Sequence, residues 1–238
     1  MHCLDLSLPT PAENLAADEA LWEAVEAGGA EVLRFWEAPT PFVVLGYANR
    51  AAREADLAAC RAHGVPVLRR VTGGGTVVQG PGCLNYTLAL RRDHHAATAS
   101  ITGTNLWILH RHATALSALT GQPVRRRGDT DLALGERKFS GNAQRRGRRA
   151  LLFHGTFLLE FDLGLVGALL PLPSRQPEYR GGRPHGEFLT NLHVPAAAVK
   201  AALRAVWDAR EPAVEWPAAR TAELAAAKYA RPEWNFRF

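Results

Sequence analysis

With 238 residues, 47% apolar and 21% charged side chains, the chain can bury one large core or two small ones and has an ordinary globular composition. No stretch approaches the ~20 apolar residues needed to span a membrane, residues 1–5 lack the basic region of a secretory signal, and three widely spaced cysteines suit neither a disulfide framework nor a zinc site, so a reducing cytoplasm is expected. A formal charge of +5 and an isoelectric point near 9.5 point to an acidic partner: nucleic acid, an acidic protein domain or a nucleotide.

In chain order, Thr10 and Glu13 have capping-box spacing with Pro11 at the first helical position. Leu15, Leu21, Trp22 and Val25 mark the apolar face of that helix, which Gly28 and Gly29 end. Residues 32–36 and 42–45 read as strands around a Pro39-Thr40-Pro41 turn, and residues 53–62 as a helix stopped by Gly64. The apolar run Val65-Pro66-Val67-Leu68 precedes a glycine-rich stretch, after which residues 84–90 alternate like a strand. A long helix is expected over 101–119, ended by Gly121-Gln122-Pro123. Residues 124–161 are β again, divided by Gly128, Gly135 and Gly147; residues 171–184 form a proline- and glycine-rich loop. Alanine-rich helices near 196–209 and 217–228 complete the pattern. No repeat, long linker or strict βαβ rhythm divides these elements. The expectation is one α+β domain over 1–238 around a largely antiparallel or mixed sheet flanked by helices.

Three clusters carry chemistry. The first is Arg69-Arg70-Val71-Thr72-Gly73-Gly74-Gly75-Thr76-Val77-Val78-Gln79-Gly80-Pro81-Gly82, with five glycines in ten residues. Its backbone can be approached closely, and its N–H groups can form an anion-binding nest to which Arg69 or Arg70 adds charge. The spacing matches neither a dinucleotide fingerprint nor a Walker loop, and a purely geometric hairpin is the alternative. The second cluster is Thr130-Asp131-Leu132-Ala133-Leu134-Gly135-Glu136-Arg137-Lys138-Phe139-Ser140-Gly141-Asn142-Ala143-Gln144. Of 28 basic residues only Lys138, Lys200 and Lys228 are lysines, leaving 25 arginines, so a lysine beside Arg137 signals a need for a compact point donor. Ser140 and Gly141 would let a substrate lie against the backbone while the ammonium reaches a carbonyl or phosphate oxygen; a solvated hairpin-end lysine is the plainer reading. The third is His154-Gly155-Thr156 inside an apolar strand, where the histidine is either a hydrogen-bonded core residue or a catalytic one.

Together, in this order and spacing, these clusters resemble the lipoate–protein ligase A family, within the superfamily of octanoyltransferases and biotin–protein ligases. The ending Tyr229 to Phe236, with Pro232-Glu233-Trp234-Asn235, is similar to the end of that family's catalytic domain, so the resemblance runs from about Val32 onward. It implies a class II synthetase-like core in which an acyl chain lies under the glycine loop. By resemblance, Thr72, Gly73, Gly74 and Gly75 line the acyl group and its activated end, and Arg70 lies near the adenylate phosphate. Lys138 holds the carboxyl or acyl carbonyl, and Asp131 anchors the nucleotide side. Asn85, Gly141, Asn142, Ala143, His154, Gly155 and Thr156 complete the substrate- and adenylate-binding set. The implied cofactors are ATP and magnesium with lipoate or octanoate. The metal has no fixed protein site, although it could approach Asp131; haem, flavin and structural zinc are not expected. The implied acceptor is a lysine on an acidic lipoyl domain or a glycine-cleavage H-type protein, which suits the basic clusters 125–127 and 145–149. Reversing Arg145, Arg146, Arg148 and Arg149 is expected to weaken that interaction. Neither a membrane nor nucleic acid is an expected partner, since little aromatic residue content interleaves the arginines.

The sequence departs from the family pattern in three ways. Gln79 stands where ligases usually carry histidine, and it cannot titrate. Gly80-Pro81-Gly82 resembles the octanoyltransferase run, and Thr130-Asp131 replaces Asn-Asp. No accessory C-terminal domain is read after the catalytic pattern, so a separate accessory chain or a preformed thioester is a possible requirement. The competing chemistry is an acyl-cysteine transferase fed by a carrier-protein thioester. Its nucleophile belongs shortly before the lysine motif, yet residues 127–131 contain no cysteine; Cys83 is the candidate, ahead of Cys3 and Cys60. A reading of another class, a basic non-catalytic adaptor for nucleic acid or an acidic protein, has no need of Lys138, the three glycines or His154.

Overall fold

The computed structural model describes residues 1–212 and 215–238. Strands β1 (His2–Asp5), β2 (Val32–Trp36), β3 (Phe42–Leu45), β4 (Val67–Arg69), β5 (Val77–Gln79), β6 (Cys83–Arg91), β7 (Val124–Arg127), β8 (Asp131–Leu134), β9 (Arg137–Arg146), β10 (Ala150–Leu158) and β11 (Glu211–Pro212) form two sheets. The larger runs β11-β1-β2-β6-β10-β9-β8-β7 and the smaller β4-β3-β5. From β2 to β7 every pairing is antiparallel; β1 pairs β2 and β11 in parallel, as β4 pairs β3. The mixed α+β architecture is the one expected from the sequence.

Helix α1 (Pro11–Glu26) begins with the capping box: Glu13 N–H donates to Thr10 Oγ1 at 3.2 Å, and Thr10 N–H to Glu13 Oε2 at 2.9 Å. The helix expected over 53–62 is two short ones, α2 (Ala51–Glu54) and α3 (Leu57–Ala62). Ala55 is extended between them, and Asp56 caps the second by accepting from Ala58 and Ala59 N–H. Helix α4 (Ile101–Thr120) runs as expected to Gly121, whose φ of 67° supplies the left-handed cap. Short helices α5 (Gly164–Leu169) and α6 (His185–Phe188) flank the proline-rich loop, followed by α7 (Ala196–Val206), α8 (Ala218–Leu224) and α9 (Pro232–Asn235).

Strand alternation sorts the large sheet into two faces. Leu33, Phe35, Leu84, Tyr86, Leu88, Phe153 and Phe157 pack on Ile108, Leu109 and Leu116 of α4 and on Val199 and Leu203 of α7. The opposite face meets α1, the small sheet and the C-terminal helices through Trp36, Leu152, Leu15, Phe42, Leu224 and Tyr229. Arg69 ties the last of these down: its guanidinium donates to the carbonyls of Gly46, Tyr47, Asn49 and Asn235.

Candidate active site

On the face covered by α1, the register places Trp36, Asn85, Thr156, Gly141 and Asp131 in one transverse row across β2, β6, β10, β9 and β8. The next row on the same face is Arg34, Thr87, His154 and Ala143. Polar side chains thus collect where α1, the neighbouring sheet and the glycine loop meet above them.

Lys138 reaches this row through an irregularity. Leu132 pairs Ser140 but Ala133 pairs Lys138, so β9 carries one extra residue and Phe139 turns into the apolar core. Lys138 and Gly141 thereby share a face despite odd spacing. A Cβ on Gly141 would stand 2.9 Å from Lys138 Nζ, so the room left by the glycine holds the lysine's own ammonium. Nζ pairs with Asp131 Oδ1 at 2.8 Å, and the Tyr179 hydroxyl donates to Asp131 Oδ2 at 2.8 Å. Burial and the adjacent Asp131 carboxylate push the Tyr179 phenol well above its ordinary range. Both oxygens of Asp131 are therefore engaged, Oδ1 by the ammonium and Oδ2 by the Tyr179 hydroxyl.

The glycine loop lies over the second row. Gly74 has φ 87°, a Cβ there would clash with the Arg70 guanidinium at 2.9 Å, and the nearest sheet atom is Ala143 Cβ. Gly46 passes so close to the Gly74 carbonyl that it has no room for a side chain, whereas Gly73 and Gly75 face open space. Arg70 is turned inward: Nη2 donates to the Gly73 and Gly75 carbonyls at 2.6 and 2.8 Å, and Nε to Thr72 Oγ1 at 2.9 Å. Burial draws its pKa down to about 10. The guanidinium braces the loop through the Gly73 and Gly75 carbonyls.

His154 joins the loop to α1. Its Nε2 lies 2.7 Å from Thr72 Oγ1 and its Nδ1 3.1 Å from Asp18 Oδ2. Thr72 Oγ1 also accepts from Arg70 Nε, so one hydroxyl joins the guanidinium to the imidazole. Asp18 also accepts from Arg34 Nη1 at 2.6 Å, both side chains being buried. Burial alone would raise the Asp18 carboxyl; the His154 hydrogen bond and the Arg34 charge more than offset it and hold it below the usual range. The result is a continuous chain, Arg34–Asp18–His154–Thr72–Arg70, ending on the glycine carbonyls.

Other candidate residues fall elsewhere. Asn142 projects from the opposite face, where its Oδ1 accepts from the buried Tyr86 hydroxyl at 2.6 Å and its Nδ2 donates to the Thr130 carbonyl at 2.7 Å. A Cβ on Gly155 would overlap the Asn142 amide, so that glycine makes room for a core hydrogen bond. Gln79 Nε2 donates to Thr156 Oγ1 at 2.8 Å, which donates in turn to Asn85 Oδ1 at 2.6 Å. Cys3, Cys60 and Cys83 are all buried, and burial pushes the Cys83 thiol up to about 12. Among the described residues no cluster of three or more His, Cys, Asp or Glu side chains is arranged to hold a metal, and no helix is long and apolar enough to cross a membrane. Sequence reasoning missed Asp18 and Arg34; the available signal was an arginine in the middle of the apolar run Val32–Trp36.

Comparison with known proteins places the chain in a family. Residues 10–202 match the lipoyl protein ligase A/B catalytic domain. Lipoate-protein ligase A subunit 1 of Thermoplasma acidophilum is 30% identical over 181 residues, covering 72% of this chain and 68% of that protein. Octanoyltransferase LipM of Moorella thermoacetica is 30% identical over 197 residues, covering 74% and 71%. An Aeropyrum pernix relative bearing the lipoate-protein ligase A name is 36% identical over 163 residues, and the match spans only 58% of its length. Among solved structures, a lipoate-protein ligase A bound with ATP superposes with a TM-score of 0.85 at 27% identity, covering 99% of this chain and 98% of that one. An archaeal bi-partite lipoate protein ligase from Thermoplasma acidophilum, described with its E2 lipoyl domain, gives 0.84 at 26% identity, covering 99% and 95%. The chain belongs to the lipoyl protein ligase A/B catalytic-domain family, whose members are ligases and transferases.

Proposed function

We propose that the protein transfers a lipoyl or octanoyl group to a lysine of an acidic lipoyl domain through an acyl-adenylate, with no acyl-enzyme. The observation that carries this reading is the Lys138 ammonium, fixed by Asp131 over Gly141 in the row next to the one the glycine loop covers. ATP would supply the activation, turning a carboxylate into a mixed anhydride that aminolysis consumes. Lys138 then offers the acyl carbonyl a preorganised positive donor as its oxygen gains charge. The braced glycine loop presents open backbone at Gly73 and Gly75 for the acyl group and its activated end. With both Asp131 oxygens engaged, magnesium would arrive with the ATP phosphates. The Thermoplasma relatives support a separate accessory chain and a lipoyl-domain acceptor.

Burial of Cys83 and its raised pKa favour this reading over the acyl-cysteine route, because the thiolate is the nucleophile. The deciding experiment mixes purified protein with ATP, magnesium and lipoate and looks for lipoyl-AMP by mass spectrometry. A parallel incubation with octanoyl carrier protein should give no hydroxylamine-sensitive adduct on the protein. A Cys83 thioester without any adenylate would reverse the assignment.

A further inference from the structure

Tyr179 stands remote in sequence from every motif above, in the 3-10 turn Glu178–Arg180 of the proline- and glycine-rich segment. Its hydroxyl donates to Asp131 Oδ2 at 2.8 Å, while Asp131 Oδ1 pairs with Lys138 Nζ at 2.8 Å. An aspartate carboxyl turns about a broad torsional minimum, so one contact from a long, flexible lysine leaves its plane undefined. A hydrogen bond to the other oxygen defines it. With Oδ2 held, the carboxylate is turned to offer the ammonium one oxygen rather than two. The tyrosine is itself held from several sides. Arg127 of β7 lays its guanidinium over the ring at 5.5 Å, and Phe188 of α6 packs beside it at 5.1 Å. Arg183 Nη2 donates to the Tyr179 carbonyl at 2.8 Å and to the Glu136 carbonyl at 3.1 Å, tying the turn to the β8–β9 connection. Gly128, at φ 52°, makes room for the turn: a Cβ there would stand 3.2 Å from Pro177 Cβ and 3.5 Å from the ring. These ties aim a half-buried ring at one carboxylate oxygen. Burial and the Asp131 charge keep the phenol protonated, so it remains a donor across neutral pH.

We infer that Tyr179 is a positioning residue for acyl transfer: through Asp131 it sets where the Lys138 ammonium meets the acyl carbonyl. The inference rests on the acyl-transfer reading above and adds to it a side chain that touches no reacting atom. A preorganised donor is effective only where charge develops, and a displacement of about 1 Å can cost about a hundredfold in rate. Removing the hydroxyl should therefore slow the chemical step and leave ground-state binding alone.

The test is Tyr179→Phe, which keeps the ring and its packing and removes one oxygen. Its melting temperature should stay near wild type, and kcat for transfer to a lipoyl domain should fall about tenfold or more. The KM values for ATP and for the acid should stay within about twofold. Combination with Lys138→Ala decides the route. The double variant should be no slower than Lys138→Ala alone, because the hydroxyl acts only through that ammonium. Four results would overturn the inference while leaving acyl transfer standing: a kcat in Tyr179→Phe within about twofold of wild type, a rise in KM alone, a lowered melting temperature that accounts for the whole rate loss, or full additivity with Lys138→Ala. Failure of wild type to transfer either lipoate or octanoate would overturn the acyl-transfer reading, and this inference with it.

Discussion

Lys138 is one of three lysines in a chain of 25 arginines, and its placement explains why an arginine would not serve. The pocket over Gly141 admits a compact ammonium 2.8 Å from Asp131, whereas a planar guanidinium needs a broader, bidentate surround. Lys138→Ala should leave the melting temperature near wild type and lower acyl transfer by two or more orders of magnitude, about 3 kcal/mol of transition-state stabilisation. Lys138→Arg should not restore it; transfer within a few-fold of wild type in either variant, measured by single-turnover kinetics, would remove Lys138 from the mechanism. The cysteines make the contrasting case. Cys83 packs with Val43, Val78 and Phe161, as a small hydrophobe does. Replacing Cys3, Cys60 and Cys83 together by alanine should keep transfer within about tenfold, any loss tracking a lowered melting temperature from imperfect packing.

Between elements, the chain from Arg34 to the glycine loop couples α1, β2 and β10 to the part of the site with least regular structure. Breaking a buried pair leaves an uncompensated charge and costs about 3–5 kcal/mol, so Asp18→Asn should lower stability by that order and loosen the loop through His154 and Thr72. The pH dependence has a definite sign. The folded-state pKa of Asp18 is depressed below the unfolded 3.8, so its contribution is complete above that value and is lost as pH falls through the folded one. The stability gap between wild type and Asp18→Asn, followed by denaturant titration, should therefore be constant near neutrality and narrow in acid; a gap that widened in acid would contradict the assignment. This network was barely legible in the sequence. Asp18 sits on a helix where a carboxylate normally faces water, and only its long-range partners Arg34 and His154 give it a role. Local signals did better: the Thr10–Glu13 box, Gly121 and the Gly135 turn fell where expected because each is satisfied within a few residues. The β1 strand escaped notice because its pairing with β2 and β11 is non-local, and the break between α2 and α3 was written only in Asp56 as a cap. Lys138, the glycine loop and His154 were legible as motifs, but the inward turn of Arg70 and the core role of Asn142 depend on which face each side chain takes.

Across the whole molecule, the two arginine clusters do not form one surface. Arg145 stacks over Trp22 at 4.8 Å and donates to the Val71 carbonyl, while Arg146 donates to Thr104 Oγ1 and the Thr98 carbonyl; both are internal ties, and of that group only Arg148 and Arg149 are exposed. Arg146 also lies five residues along β9 from Gly141, about 17 Å at the strand rise. The β7 cluster is closer to the chemistry. Arg127 pairs in register with Asp131 and its guanidinium lies over Tyr179 at 5.5 Å, with Arg125 and Arg126 exposed beside it on the last strand of the sheet. An acidic acceptor domain presenting its lysine to Lys138 would meet β7 first. Exposed charges at such a rim act chiefly on encounter and are screened by salt. Arg125→Glu with Arg126→Glu should therefore raise the acceptor-domain KM by about tenfold at low salt, flatten the salt dependence of transfer and leave adenylate formation unchanged. Arg148→Glu with Arg149→Glu should do markedly less. The measurement is steady-state transfer to a lipoyl domain across an ionic-strength series, beside a filter-binding assay with RNA and DNA. Equal effects from the two pairs would dissociate acceptor docking from the β7 edge, and tight, salt-sensitive nucleic-acid binding lost in either variant would reassign the arginines to that partner.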